Sequence, residues 1–500
     1  MKKSSLERLA EADDYEVVRA VQEHFADYQV INPDLISLEL SYPRQRIWSS
    51  SPDTWNSDLL QRSTEGLLAL LLSLKKKPLV RYSKTSLLAK KLATEVRYQM
   101  NQEEQLFNFR RTDTPPMLLV LDRREDPITP LLTQWTYQAM VHELLGIHTG
   151  RVDLKDVPDV RPELREIVLS QDSDPFFKKN MYANFGDLGQ NAKDYVEQFA
   201  SKSADSHKLE SVSDMKRFVE DYPEFRKLSG NVSKHVTLVG ELSRRVGSDS
   251  LLDISELEQS LACSDNHTND LRTLQQLIGN PQIPDMNKLR LVAIYALRYH
   301  NHQNNSTHVL RDLLAASTSL TSADLSLVPK ILAYAGSLHT AAASTTGTPT
   351  IPDLFSQPTA LLSGARTRIQ RGLKGVENVY TQHSPILLST LESLMRARLP
   401  TNTYPFLDNQ GNIPKEKPQD IIVFMIGGAT YEEARAVAQI NASTPGVRVV
   451  LGGTDVLNSG DFLAQVDGAV SSWPDVLKSV ERSAGTAGGA KSRLNEAVGR

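Results

Sequence analysis

Apolar residues along this chain follow two rhythms, and the switch between them maps its organisation. Short continuous apolar runs stand at "MLLVL" (117–121) and "IIVFMI" (421–426), and "VRVVLGG" (447–453) repeats the pattern around one arginine. Runs without polar alternation are what a parallel sheet covered on both faces requires. Elsewhere apolar positions recur every three or four residues, the period of an amphipathic helix. "EGLLALLLSL" within 57–75 and "SLLAKKLATEVRYQM" (86–100) read as helices, with "KPLVRYSKTS" (77–86) a short strand between them. Strand and helix alternate here, which argues α/β.

From about 150 to 410 strand-like runs become scarce and helical spacing dominates. "SVSDMKRFVEDYPEFRKLSGNVSKHVTLVGELSRRV" puts Val212, Met215, Val219 and Tyr222 on one stripe. Leu228, Val232, Val236, Val239 and Leu242 form the next, with Pro223 marking a bend or break. "DMNKLRLVAIYALRYH" (285–300) and "LSLVPKILAYAGSLHT" (325–340) are further helices, and "TAAASTTGTPTIPD" (340–353) a polar connection. The α/β rhythm returns after 411. The simplest architecture is one parallel sheet whose last strands follow a large helical insertion.

Local signals sharpen the ends. Thr129 followed by Pro130 is a candidate helix start after "MLLVL", and Thr430 with Glu433 is a capping box after Gly427 and Gly428. The opening "SSLERLAEADDYEVVRAVQEHFADYQV" keeps helical spacing through Leu6, Leu9, Val17, Val18, Val21 and Phe25, then turns extended at "QVINPDLISLEL". No strand precedes that helix, so the chain is expected to open inside a unit. The tail, 483–500, is expected to be disordered.

Composition changes little. With 500 residues two or three domains are expected, and 56 basic against 60 acidic side chains argue against nucleic-acid wrapping. Cys263 is the only cysteine, which excludes an intrachain disulfide and thiolate zinc sites and suits a reducing compartment. The amino end has no apolar signal core, and no window approaches the roughly 20 apolar residues of a membrane span. These readings imply a cytosolic protein whose sequons, "NVS", "NST" and "NAS", are accidental.

The chemically loaded stretch is "LDRREDPITP" (121–130), beyond the carboxyl end of a strand, where open α/β sheets place ligands. Asp122 or Asp126 could serve a metal or act as a base. Equally, Asp122, Arg123, Asp126, Pro127, Thr129 and Pro130 could form a structural joint whose carboxylates accept turn amides. Opposite charges this close favour ordinary ionised acids, and the structural reading is preferred. Gly427 and Gly428 open a helix as a phosphate turn would, but no GxGxxG or GxxxxGK[ST] occurs and no lysine or arginine stands immediately after the glycines. Among the histidines none forms HExxH, and His142 reads as a hydrogen-bonded packing residue. Cys263 lies near His267 without a third catalytic member. Two basic clusters remain, Lys75 to Arg97 and the group Arg366, Arg368, Arg371 and Lys374. Each suits an acidic helix bundle, an anionic membrane surface, or simple solvation.

"LLVLDRREDPITPLLTQWTYQAMVHELLGI", "DMNKLRLVAIYALRYH" and "DIIVFMIGGATYEEARAV" resemble the SM family of syntaxin-binding proteins, in its vacuolar protein sorting branch. "SLERLAE" and "LDISELEQSLACSDN" add to the likeness. The resemblance implies an arch-shaped α/β protein without cofactor, metal or enzymatic activity, dividing into 1–38 (remnant of a first domain), 39–147, a helical 148–410, 411–482 and the tail. It implies binding of a syntaxin-type SNARE and the assembled SNARE complex, with Rab or tethering factors as further partners. It also implies peripheral association with Golgi, endosomal or vacuolar membranes. Family members carry more strands ahead of "SLERLAE", so the chain is expected to be truncated. Leu6, Leu9 and Ile31 match the edge of the syntaxin N-peptide region, or simply pack. Arg366, Arg368, Arg371 and Lys374 are candidate SNARE-helix contacts. Other readings are an α/β nucleotide-dependent or hydrolytic enzyme with a helical substrate domain, and a trafficking scaffold that grips no SNARE.

Overall fold

A computed structural model describes residues 3–22, 24–110, 112–206, 212–338, 380, 382–407 and 416–478, with backbone alone at 200–206 and 212–228. Arg366, Arg368, Arg371, Lys374, the 340–353 connection and the tail lie outside the described residues, as do the side chains of the Val212 to Tyr222 stripe. The first part holds α1 (Lys3–Ala12), β1 (Gln29–Asn32), β2 (Leu35–Ser37), α2 (Ser57–Leu74), β3 (Leu79–Tyr82), α3 (Leu87–Gln102) and β4 (Met117–Asp122). Next come α4 (Tyr137–Leu144), β5 (Arg151–Asp153), β6 (Glu166–Val168), α5 (Pro175–Asn180), α6 (Phe185–Ser206), α7 (Val212–Ser248) and α8 (Leu251–Cys263). Then follow α9 (His267–Ile278), α10 (Asp285–Tyr299), α11 (Thr307–Ser317), α12 (Ser322–Leu325), α13 (Leu327–Gly336) and α14 (Ile386–Met395). The chain returns through β7 (Asp420–Ile426), α15 (Tyr431–Ser443), β8 (Arg448–Gly453) and α16 (Ser459–Ser471).

The main sheet runs β1-β2-β8-β7-β4-β3, parallel except for the β1–β2 hairpin. β4 and β7 are neighbours in register, from Met117 opposite Ile421 to Asp122 opposite Ile426, with the helical insertion between them in sequence. This is the expected mixed α/β sheet with a large helical insertion. The continuous apolar runs follow from burial on both faces. Leu118, Val120, Ile422, Phe424 and Ile426 enter one core, while Met117, Leu119, Leu121, Ile421, Val423 and Met425 enter the other. Successive side chains alternate sides, so each face takes every second residue. β2 lies against β8, with Leu35 opposite Leu451, which puts the hairpin on this common sheet.

Several expectations need correction. The opening helix stops at Ala12 instead of reaching Phe25. There the Asp13 carboxylate accepts the Val17 and Val18 amides and Glu16 adopts a left-handed backbone. Val17, Val18, Val21 and Phe25 are exposed, so their periodicity finds no surface to bury against. The helix after β4 begins at Tyr137, because residues 129–131 form a tight 3-10 turn. α7 continues through Pro223 without a break. Of its second stripe, Val232 and Leu242 are buried but Val236 is exposed, while Leu238 carries core contact unnoticed in the pattern. The small β5–β6 hairpin has too few residues to show a period.

Candidate functional site

The acidic–basic stretch after β4 folds as a closed polar joint. Asp122 ends the strand with 1% exposure, and its carboxylate accepts the Arg124 backbone amide and guanidinium at 3.0 and 2.7 Å and the Ser86 hydroxyl at 2.6 Å. Arg124 continues to the Pro52 carbonyl and Ser337 Oγ. Arg123 crosses the sheet: Nη2 donates to Glu433 Oε2 at 2.5 Å, Nε to the Gly428 carbonyl and Nη1 to the Asp126 carbonyl. The Asp126 carboxylate accepts the Thr129 amide and hydroxyl, at 3.0 and 2.6 Å, and the Ile386 amide that opens α14. One carboxylate thus ties the exit from the sheet to the return from the insertion. Pro127 and Pro130 are buried within the turn.

Electrostatics agree with a structural assignment. Burial would raise the Asp122 pKa, yet the adjacent Arg124 guanidinium holds it below the ordinary carboxylate value. Burial likewise works against Asp126, and Arg123, His383 and Thr129 overcome it. Both acids are therefore ionised acceptors, enclosed by donors and shielded from solvent. Glu125 differs: burial raises its pKa although Ser83 and Thr85 donate to it.

The glycine turn is equally occupied. Gly427 and Gly428 take φ of 88° and 97°, the left-handed region that favours glycine. A Cβ on Gly428 would lie 2.6 Å from Leu457 Cγ, and one on Gly427 would lie 2.9 Å from Arg123 Cβ. The Gly427 amide donates to Thr454 Oγ1, that of Gly428 to the Met425 carbonyl and that of Ala429 to the Asp455 carbonyl. Those amides are spent inside the fold, so none remains to cradle a phosphate. Thr430 and Glu433 form the expected capping box. The sequence pattern missed that Glu433 also receives Arg123, because that partner is distant in the chain.

Asp455, beside this turn, carries a testable pH dependence. Burial pushes its pKa from 3.8 up to about 6 against the Ser41 hydrogen bond, with Asp461 and Glu39 adding to the rise. A folded-state value above the unfolded one contributes stability present below pH 3.8 and lost as pH rises through about 6. Asp455→Asn should therefore stabilise the protein at pH 7 by roughly 2–3 kcal/mol, with the gain fading on acidification. Urea melts at pH 7 and pH 4 check this; an equal effect at both would contradict it.

A second joint fastens the insertion to the frame. Arg290 on α10, 2% exposed, donates to Glu143 on α4 and Ser459 on α16 at 2.8 and 3.0 Å. Its other Nη meets Thr133 Oγ1 at 3.0 Å and Glu258 on α8 at 2.8 Å. On the far side, Tyr137 Oη, His235 and Asp174 form a buried chain with links of 2.7 and 2.8 Å, and Lys234 also reaches Asp174. Phe176 and Phe177 pack on Tyr137, enclosing a triad-like arrangement inside the core. None of these groups was singled out in the sequence, where they are far apart and carry no motif.

The other candidates disperse. His142 Nδ1 accepts the Ile147 amide and its Nε2 faces the Val456 carbonyl, a packing histidine against Tyr431. His267 lies 2.8 Å from Tyr295 Oη and stacks on His302. Among the described residues no group of three or more His, Cys, Asp or Glu could hold a metal, and no helix is long and apolar enough to cross a membrane. Leu6 and Leu9 remain exposed on α1, whereas Ile31 packs half-buried on the sheet.

A mostly parallel sheet, buried polar joints and a large helical insertion define a class, the mixed α/β fold interrupted by helices. The chain matches the family model described as "Sec1 family" over residues 1–465. Human vacuolar protein sorting-associated protein 45 is 47% identical over 466 residues, covering 93% of this chain and 78% of that protein. Its Schizosaccharomyces pombe counterpart is 47% identical over 467 residues, covering 93% and 80%. A solved structure, the SM protein Vps45 in complex with the Qa SNARE Tlg2, superposes with a TM-score of 0.86 at 62% identity, covering 95% of this chain and 81% of that one. The chain belongs to the Sec1 family, the SM proteins, within the Vps45 branch.

Proposed function

We propose that this chain binds a syntaxin-type SNARE and guides SNARE-complex assembly for vesicle docking and fusion, catalysing no reaction of its own. The carrying observation is its likeness, at 62% identity and a TM-score of 0.86, to an SM protein solved with a Qa SNARE. SNARE helices must be held in register before they bury their apolar stripes, and a rigid template lowers the ordering entropy of that encounter. Reading 148–410 as the inserted unit belongs to this proposal, supported by Arg290, which fastens α8 and α10 to α4 and α16. Action at Golgi, endosomal or vacuolar membranes, and Rab or tethering factors as further partners, belong to the same proposal. So do a peptide-capture role for Leu6, Leu9 and Ile31 and SNARE-helix contacts at Arg366, Arg368, Arg371 and Lys374.

Titrating the chain with the cytosolic segments of a panel of syntaxin-type SNAREs tests the reading. Binding to at least one is expected, and the triple change Arg366→Glu, Arg368→Glu, Arg371→Glu should weaken it on the order of tenfold. A folded chain indifferent to the whole panel would overturn the function; unchanged affinity in the triple variant would remove only that cluster from the interface.

A further inference from the structure

The exposed basic residues on and beside α3 are not absorbed by the joints or by the SNARE reading. Leu87, Lys91, Thr94 and Tyr98 recur at helical spacing on one face of α3, with Lys90 beside them and Lys84 just before the helix. Leu87 is 48% and Tyr98 55% exposed, and the face carries no acid at positions 87, 90, 91, 94, 98 or 101. Lys91 meets Glu95 at a loose 3.9 Å, and among the described residues no ion pair engages Lys84 or Lys90. The opposite face of the helix, through Leu88, Leu92, Val96 and Met100, is fully buried, so this orientation is held firmly. α3 packs on β3, the sheet edge farthest from the β1–β2 hairpin.

We propose that this face of α3, with Lys84, docks directly on an anionic lipid bilayer. The chain as a whole has a formal net charge of -4, so the positive face is local and would orient the molecule on a negative surface. Lysine is depleted from the cores of protein interfaces, and two isolated apolar side chains make a poor hydrophobic centre for one. A fluid headgroup layer suits the same set well: lysines meet lipid charge, tyrosine sits at the interface and leucine enters the acyl boundary. Contact through this face needs no protein receptor, and the Lys84 amide, bonded to the Thr403 carbonyl, holds the flank of the patch in place.

Flotation of the full chain with vesicles of phosphatidylcholine alone, or with added phosphatidylserine, tests the proposal. Binding is expected only to the anionic vesicles and should fall with salt. Each lysine near such a surface contributes about fivefold, so Lys84→Gln, Lys90→Gln, Lys91→Gln together should lose on the order of a hundredfold. Exposed substitutions of this kind should leave thermal unfolding in place, which separates lost docking from lost fold. Leu87→Ser should weaken binding without altering its salt dependence. The proposal fails if the parent ignores phosphatidylserine, or if the triple variant floats like the parent. It also fails if that variant keeps flotation but loses a syntaxin-type partner, since the face would then be a protein contact.

Discussion

Arg123→Met is expected to cost about 3–5 kcal/mol of stability, read as a fall in the urea midpoint at unchanged slope. Arg123 and Glu433 have fully buried side chains, and the arginine also serves the carbonyls of Gly428 and Asp126. Removing the cation strands Glu433 in a site where burial already raises its pKa. The penalty arises from that uncompensated carboxylate, more than from the net worth of the ion pair. It follows that Arg123→Met with Glu433→Gln should recover a large part of the loss. The single variant should also be less impaired at acid pH, where Glu433 takes up a proton. A change within about 1 kcal/mol, the scale of an exposed pair, would mean the joint is not closed as described.

The second large effect is expected at Arg290. Arg290→Met leaves Glu258, fully buried, and Glu143 without their shared cation, at a cost again of about 3–5 kcal/mol. The consequence differs in kind. Arg290 joins α8 and α10 of the insertion to α4 and α16 beside the sheet, so its loss should loosen one body against the other. Amide exchange in α8 and α10 should accelerate before that in β4 and β7, whose register does not depend on this contact. Uniform acceleration across both would show that the arginine supports global stability alone. A SNARE-binding assay on the same variant then reports whether a firmly seated insertion matters to partner capture.

Much of the frame was legible because its signals are local. "MLLVL" and "IIVFMI" announced strands through uninterrupted apolarity, since parallel strands covered twice have no polar side to display. The helices over 57–74 and 285–299 followed from spacing, and Thr430 with Glu433 from a three-residue relation that needs no tertiary knowledge. The errors have different causes. The opening segment has helical spacing but nothing to cover its apolar stripe past Ala12, and the turn at Thr129 is governed by the Asp126 carboxylate instead of a helix cap.

The sequence by itself determined the periods, and with them the α/β frame, the helical insertion, the glycine turn and the acidic–basic stretch beyond β4. Only tertiary structure decided what those charges do. Arg123 finds Glu433, Arg290 finds Glu258 and Glu143, and Tyr137 finds His235 because distant elements converge in a low-dielectric interior. Hydrophobic burial is non-directional and written into the order of residues, whereas a buried ion pair depends on three-dimensional geometry that residue spacing does not encode.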